Sequence, residues 1–183
     1  MFRRILVAAL AFTLGSITSA LAAPFTNGSF ELASSDPGSF QRLGVGSTVI
    51  TGWEVFGSNI DYIGSFWQPS EGSRSIDLNG NSGPGGIRQT FDTVVGQFYR
   101  VTFDYAAHHV SEDDRFSFNV SVNEATGGSN LTFAFLPVPG SARADMRWRS
   151  SSFVFFAHDD LTTLSFSSLT DIRGSVRRST TCA

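Results

Sequence analysis

An all-β fold, a sandwich of two antiparallel sheets, is what this sequence predicts, and three observations predict it. Short segments alternate apolar and polar residues with period two, Phe116 to Val122 being the cleanest. Turns rich in glycine and asparagine separate them, as in Asn79 to Gly86 (NGNSGPGG). No segment carries a helical period, and phenylalanine, with 18 copies, is the dominant aromatic, suited to a core shared by two sheets.

The elements follow in order. Asn27 to Leu32 reads as a turn and a short strand, Ser34 to Ser47 as a Gly/Ser-rich loop, Val49 to Phe56 as a strand broken at Gly52, and Ile60 to Ile63 as another strand. Ser73 to Leu78 places Ile76 and Leu78 on one face. Ile87, Gln89 and Phe91 alternate with Arg88, Thr90 and Asp92. From Phe98, the set Tyr99, Val101, Phe103 and Tyr105 faces inward on a half-buried antiparallel strand. Leu131 to Phe135 forms a strand ended by Pro137 and Pro139, and Trp148 to Phe156 and Thr163 to Leu169 supply two more. Eight to ten such strands fit a double-sheet jelly roll, and no internal repeat points to a propeller or solenoid.

Residues 1–22 carry the parts of a secretory signal: Arg3 and Arg4, an apolar run from Ile5, and a small-residue site at Ala20-Leu21-Ala22. Cleavage after Ala22 leaves one domain over residues 23–170, with 171–183 as a tail. The basic residues, 13 in all, are arginines. Without Arg3 and Arg4 the mature chain has 11 basic against 16 acidic residues, a net charge of 11 − 16 = −5. That balance, with no basic stripe, argues against a nucleic-acid partner. Cys182 is the sole cysteine, so no internal disulfide forms and packing must supply the stability. No span after the leader is apolar enough to cross a membrane, so the expected location is secreted, extracellular or at the cell surface.

Ionisable groups give little sign of catalysis. His108, His109, Glu112, Asp113 and Asp114 are the densest cluster, but adjacent histidines in an extended chain point to opposite sides and only His158 remains elsewhere. The cluster reads as a solvated loop, and no metal site is assigned. Asp61, Glu71, Asp77 and Asp104 offer no paired spacing of the kind sugar hydrolysis needs, and there is no nucleophile elbow, phosphate loop or dinucleotide fingerprint. The chain reads as a non-enzyme. The tripeptides at Asn27, Asn119 and Asn130 match the glycosylation pattern, which is incidental in the bacterial setting that the arginine-only, Ala/Gly-rich composition points to.

Ligand recognition has better candidates. Gly52 to Asp104 holds Trp53, Tyr62, Trp67 and Tyr99 between glycine turns. An aromatic ring can stack on the CH face of a sugar while Asp, Asn or Arg bonds its hydroxyls. Trp67, among Gly64, Ser65, Gln68 and Pro69, is expected on an exposed loop, and Tyr62, Asp61 and Arg74 join it as candidate ligand-binding residues. Trp53 and Trp148 read as core.

Several phrases then fall in order: NGSFE from Asn27, GW at Gly52, DYIGSFWQPSEGSRSIDLNG from Asp61, QTF from Gln89, YRVTFDYA from Tyr99, MRWRSSSFVF from Met146 and LSFSSL from Leu164. Together they resemble the choice-of-anchor C family of bacteria, a relative of the plant cell-wall family called domain of unknown function 642. The resemblance implies a galactose-binding-like jelly roll displayed at or near the cell surface, with carbohydrate binding as a fold-level analogy. That family closes on a phrase like GPALDNV, where this chain reads TDIRGSVRRSTTCA. Reading the codons of Gly174 to Cys182 in another frame permits that phrase, so a frameshift near Asp171 is expected to have replaced the final strand and any anchor. An unpaired sheet edge would follow. The resemblance also implies a structural calcium held by carboxylates near the first and last strands; Glu31 matches the first position and the closing Asp is absent.

The function expected from sequence is therefore a secreted non-catalytic module that binds carbohydrate or a cell-envelope glycan. The alternative is a structural or adhesive surface protein that contacts other proteins and recognises no sugar.

Overall fold

A computed structural model of the chain describes residues 2–10, 23–108 and 115–170. Eleven strands make up its regular structure: β1 (Phe2–Leu10), β2 (Phe40–Leu43), β3 (Glu54–Phe56), β4 (Ile60–Ile63), β5 (Ser75–Asp77), β6 (Gly86–Asp92), β7 (Phe98–Tyr105), β8 (Phe116–Asn123), β9 (Gly128–Phe135), β10 (Arg149–Phe156) and β11 (Leu161–Ser168). They form a six-stranded sheet in the order β10-β7-β1-β5-β4-β2 and a five-stranded sheet in the order β3-β6-β11-β8-β9. Every pairing is antiparallel, giving the all-β sandwich that the alternating segments predict. No helix among the described residues is long and apolar enough to cross a membrane.

The period-two faces pack against each other. Ile87, Gln89 and Phe91 of β6, Tyr99, Val101 and Phe103 of β7, and Phe118, Val120 and Val122 of β8 are all buried. Gln89 is the one polar member, and its amide is satisfied: Oε1 accepts from the Thr26 N–H at 2.7 Å and Nε2 donates to the Thr26 carbonyl at 2.9 Å. Phe103 joins the sheets. Its ring meets Phe118 at 5.9 Å, Phe133 at 5.4 Å and Phe166 at 5.3 Å, each edge to face. This geometry lets the positive ring edge meet a negative face. Trp53 is core as expected, with Nε1 donating to the Asn27 carbonyl at 3.1 Å.

Three elements differ from the sequence expectation. The loop expected over Ser34 to Ser47 contains β2, an edge strand in which Leu43 alone is fully buried, so its Gly/Ser flanks hide the strand. The strand expected after Asn27 shrinks to a single bridge between Ala33 and Ile50, because Asn27 and Phe30 adopt positive φ and turn the chain. Residues 2–10, within the expected leader, lie in the larger sheet between β7 and β5. The expected cleavage site and the expected tail, residues 171–183, fall outside the described residues.

Phe103→Ala should lower the free energy of unfolding by about 3–5 kcal/mol, since it removes a ring wedged among three others. Urea unfolding followed by tryptophan fluorescence measures it. A loss below about 1 kcal/mol would mean the sheets do not meet around this ring.

Candidate functional site

Strands β2, β4 and β5 run side by side, and their register aligns Arg42 with Asp61 and Asp61 with Asp77. The next row aligns Phe40 with Ile63 and Ile63 with Ser75. Residues opposite one another share a face and neighbours along a strand alternate. Tyr62 and Ile76, which alternate with these rows, belong to the main core, so both rows lie on the outer face of the sheet.

Arg42 grips Asp61 with two bonds, Nε to Oδ1 at 2.9 Å and Nη2 to Oδ2 at 3.0 Å. This fork geometry fixes both side chains while leaving outward lone pairs on the carboxylate. Asp77 accepts the Asn79 N–H at 3.0 Å. Burial pushes its carboxyl up to about 6; the Asn79 N–H opposes that rise, and the Asp61 charge opposite adds to it.

Beside this row, the segment after β4 folds down over Ile63 and Ser75. Gly64 makes the approach feasible: its N–H donates to the Ser39 carbonyl and that of Ser65 to the Gly38 carbonyl, both at 3.0 Å, and a Cβ at Gly64 would collide with the Gly38 oxygen. Trp67 is thereby carried inward, only 4% exposed, with Nε1 donating to Ser75 Oγ at 2.8 Å. It forms a second small core with Ile63, Ala106 and Met146, flanked by Phe66 and Trp148. The expected exposure of Trp67 is thus overturned. Its Gly/Ser/Pro surroundings mark a loop, but that loop lies flat on a sheet face and buries its ring. Trp148 is half-buried on the same cluster and donates to the Gln68 carbonyl at 3.0 Å.

Tyr62 is fully buried on the opposite face of β4. Its hydroxyl donates to the Phe30 carbonyl at 2.6 Å, and burial raises its pKa while the nearby Arg74 guanidinium opposes the rise. Arg74 pairs with Asp36 at 3.3 Å and keeps about a fifth of its side chain exposed. The four sequence candidates therefore divide. Asp61 faces out, Arg74 lies at the surface on the Tyr62 side, and Tyr62 and Trp67 point into protein.

The outer face gains residues that the sequence reading did not select. Phe40, 43% exposed, meets Phe66 edge to face at 5.6 Å, and the Arg143 guanidinium lies 3.9 Å over the Phe66 ring.

Glu31 does not fit a calcium site. Its Oε1 accepts from the Ser73 and Arg74 N–H groups at 2.8 and 3.1 Å, and its Oε2 from Ser73 Oγ at 2.6 Å, so the carboxylate serves to pin the turn before β5. Among the described residues no group of three or more His, Cys, Asp or Glu side chains gathers. His108 packs edge to face on Trp67 at 5.6 Å; His109 and Glu112 to Asp114 lie outside the described residues.

Two outcomes follow. The folded Asp77 pKa, about 6, lies above its ordinary value of 3.8, so ionising Asp77 costs stability. That cost is absent below about pH 4, grows between pH 4 and 6, and is complete above. Asp77→Asn keeps an acceptor for the Asn79 N–H and should raise the melting temperature at pH 7.5 but leave it unchanged at pH 3.5; equal effects at both would contradict the assignment. Tyr62→Phe orphans the buried Phe30 carbonyl and should cost about 1–3 kcal/mol in chemical denaturation.

Comparison with known proteins places this geometry in a family. No solved structure matches the chain. Over 174 residues it is 33% identical to a segment of halomucin from Haloquadratum walsbyi (strain DSM 16790 / HBSQ001), an alignment that covers 93% of this chain. The chain spans about 2% of the length of that relative. Residues 23–173 match the family described as Protein of unknown function (DUF642), and the chain belongs to that family.

Proposed function

We propose that this domain is a non-catalytic extracellular module that binds carbohydrate through the outer face of β2, β4 and β5. The observation that carries the reading is the Arg42–Asp61 pair beside the rings of Phe40 and Phe66. Guanidinium donors and carboxylate acceptors in a fixed line match the alternating hydroxyls of a sugar, and a partly exposed ring beside them offers a face for its CH groups. Tyr62 holds β4 from beneath and Trp67 holds the overlying loop, while Arg74 and Asp36 pair on the Tyr62 side before the start of β5. The resemblance to a halomucin segment and the leader-like N-terminus support the extracellular setting.

The alternative, a domain that contacts other proteins, is favoured by a different surface. Phe98, Val154 and Phe156 are 51%, 47% and 39% exposed on β7 and β10, with the Phe98 and Phe156 rings 5.0 Å apart. The two readings separate in a pull-down on insoluble polysaccharides. Arg42→Ala and Asp61→Ala should each weaken retention roughly tenfold or more, as loss of charge-assisted hydrogen bonds does, with melting temperature nearly unchanged. Retention that survives both substitutions, or that falls only with Phe98→Ser and Phe156→Ser, would move the binding surface to β7 and β10.

A further inference from the structure

The two sides of the sandwich end differently. On one side the outermost strands are β2 and β3, four and three residues long, and each carries a charged residue held in an ion pair, Arg42 to Asp61 and Glu54 to Arg88. Short, charged strands are how sheet edges are kept from pairing with other chains. On the other side the outermost strands are β9 and β10, eight residues each. β9, GSNLTFAF, has no charge and no proline, and β10, RSSSFVFF, has only Arg149 at its first position. Among the described residues no strand lies beyond either, so each presents an open row of N–H and C=O groups.

These two open edges lie together. Phe103 and Tyr105 of β7 meet Phe133 and Phe135 of β9 across the sandwich at 5.4 and 5.0 Å, and β10 is the next strand beyond β7. The core is incompletely closed there. Leu131 lies directly opposite buried Val120 and so shares the inner face, yet it is 37% exposed. Phe133, Phe135 and Phe153 pack against the core but are only partly buried. The edge therefore combines unpaired backbone with an apolar lip on its inner side.

We propose that the β9 and β10 edges together form a docking surface for a second copy of this chain. A partner that satisfies both must offer two strand edges stacked about 10 Å apart, the spacing of packed sheets. A single extended peptide satisfies only one of them. A second copy has the matching pair: a two-fold axis perpendicular to the sheets sets β9 antiparallel to its own copy and β10 antiparallel to its own, so both sheets run on across the seam. The chain has a net charge of −3, but the seam is nearly free of it. β9 contributes no charge, and the Arg149 residues of two antiparallel β10 strands lie at opposite ends, so like charges stay apart. Main-chain bonds fix the register, and covering Leu131, Phe133, Phe135 and Phe153 adds apolar burial. The proposal does not rest on glycan binding, since β2 and β4 lie at the far side of the larger sheet and stay free in each copy.

The test is sedimentation equilibrium of the full chain from about 1 μM to about 1 mM, alone and with Asn130→Lys or Ser152→Lys. Both residues are exposed, sit near the middle of β9 and β10 and alternate with inward-facing Leu131 and Phe153, so lysine leaves the monomer intact and brings like charges together across the seam. The expected result is a reversible dimer whose dissociation constant rises roughly tenfold with either lysine, because the two-fold brings each substitution in twice. Mixing Asn130→Lys chains with Asn130→Asp chains should restore association as a heterodimer in native mass spectrometry, and hydrogen exchange at β9 and β10 amides should slow as the dimer forms. The proposal is overturned if the chain stays monomeric throughout, if either lysine leaves the dimer unweakened, or if only Phe98→Ser and Phe156→Ser abolish it.

Discussion

A strand residue can face only one side of its sheet, and in β4 that constraint decides what every residue of the aromatic segment can do. Asp61 and Ile63 share the outer face, while Ile60 and Tyr62 enter the core. The phenol of Tyr62 then meets the Phe30 carbonyl, which fixes the turn that leads to Glu31, and Glu31 in turn pins the Ser73–Arg74 backbone before β5. With β4 and β5 held, Arg42, Asp61 and Asp77 align without further adjustment. A slip of one residue would bury a carboxylate and expose a tyrosine, a cost that makes the register hard to change.

The two cores have different tasks. The larger one, around Phe103, joins the sheets and is built from the period-two strands. The smaller one, around Trp67, fastens a loop to the outside of one sheet. Trp67 thus packs against the outer face at Ile63 and Ser75 and is itself covered by its loop. Raising the Asp77 carboxyl to about 6 is a cost of the same arrangement, chiefly because the position is buried and, to a smaller extent, because the row sets the Asp61 carboxylate opposite it.

The fold was largely legible in the sequence, because β6, β7 and β8 each alternate cleanly and one face of each is buried. Two strands were not. In β2 the pattern is diluted by an edge position, where only Leu43 needs to be buried. For β1, apolar composition reads as a leader, and nothing local reveals that Ile5 fits a gap in a sheet whose other strands lie far along the chain. The site was legible in part. Asp61 and Arg74 keep only 15% and 21% of their side chains exposed, each in an ion pair, and a loop's composition does not reveal whether it stands away from a sheet or lies on it, which decided Trp67. Arg42 and Arg143 became visible only through their partners, Asp61 across the strand and Phe66 across the loop.

The claim that β4 divides support from recognition is tested most directly by backbone amide NMR during titration with soluble fragments of a polysaccharide that the domain retains. The account predicts shifts concentrated at residues 40–42, 61, 66 and 77, with the side-chain resonances of Tyr62 and Trp67 keeping the narrow, protected signature of buried groups. Shifts confined to β8 and β9, or rings of Tyr62 and Trp67 that contact the sugar directly, would contradict it.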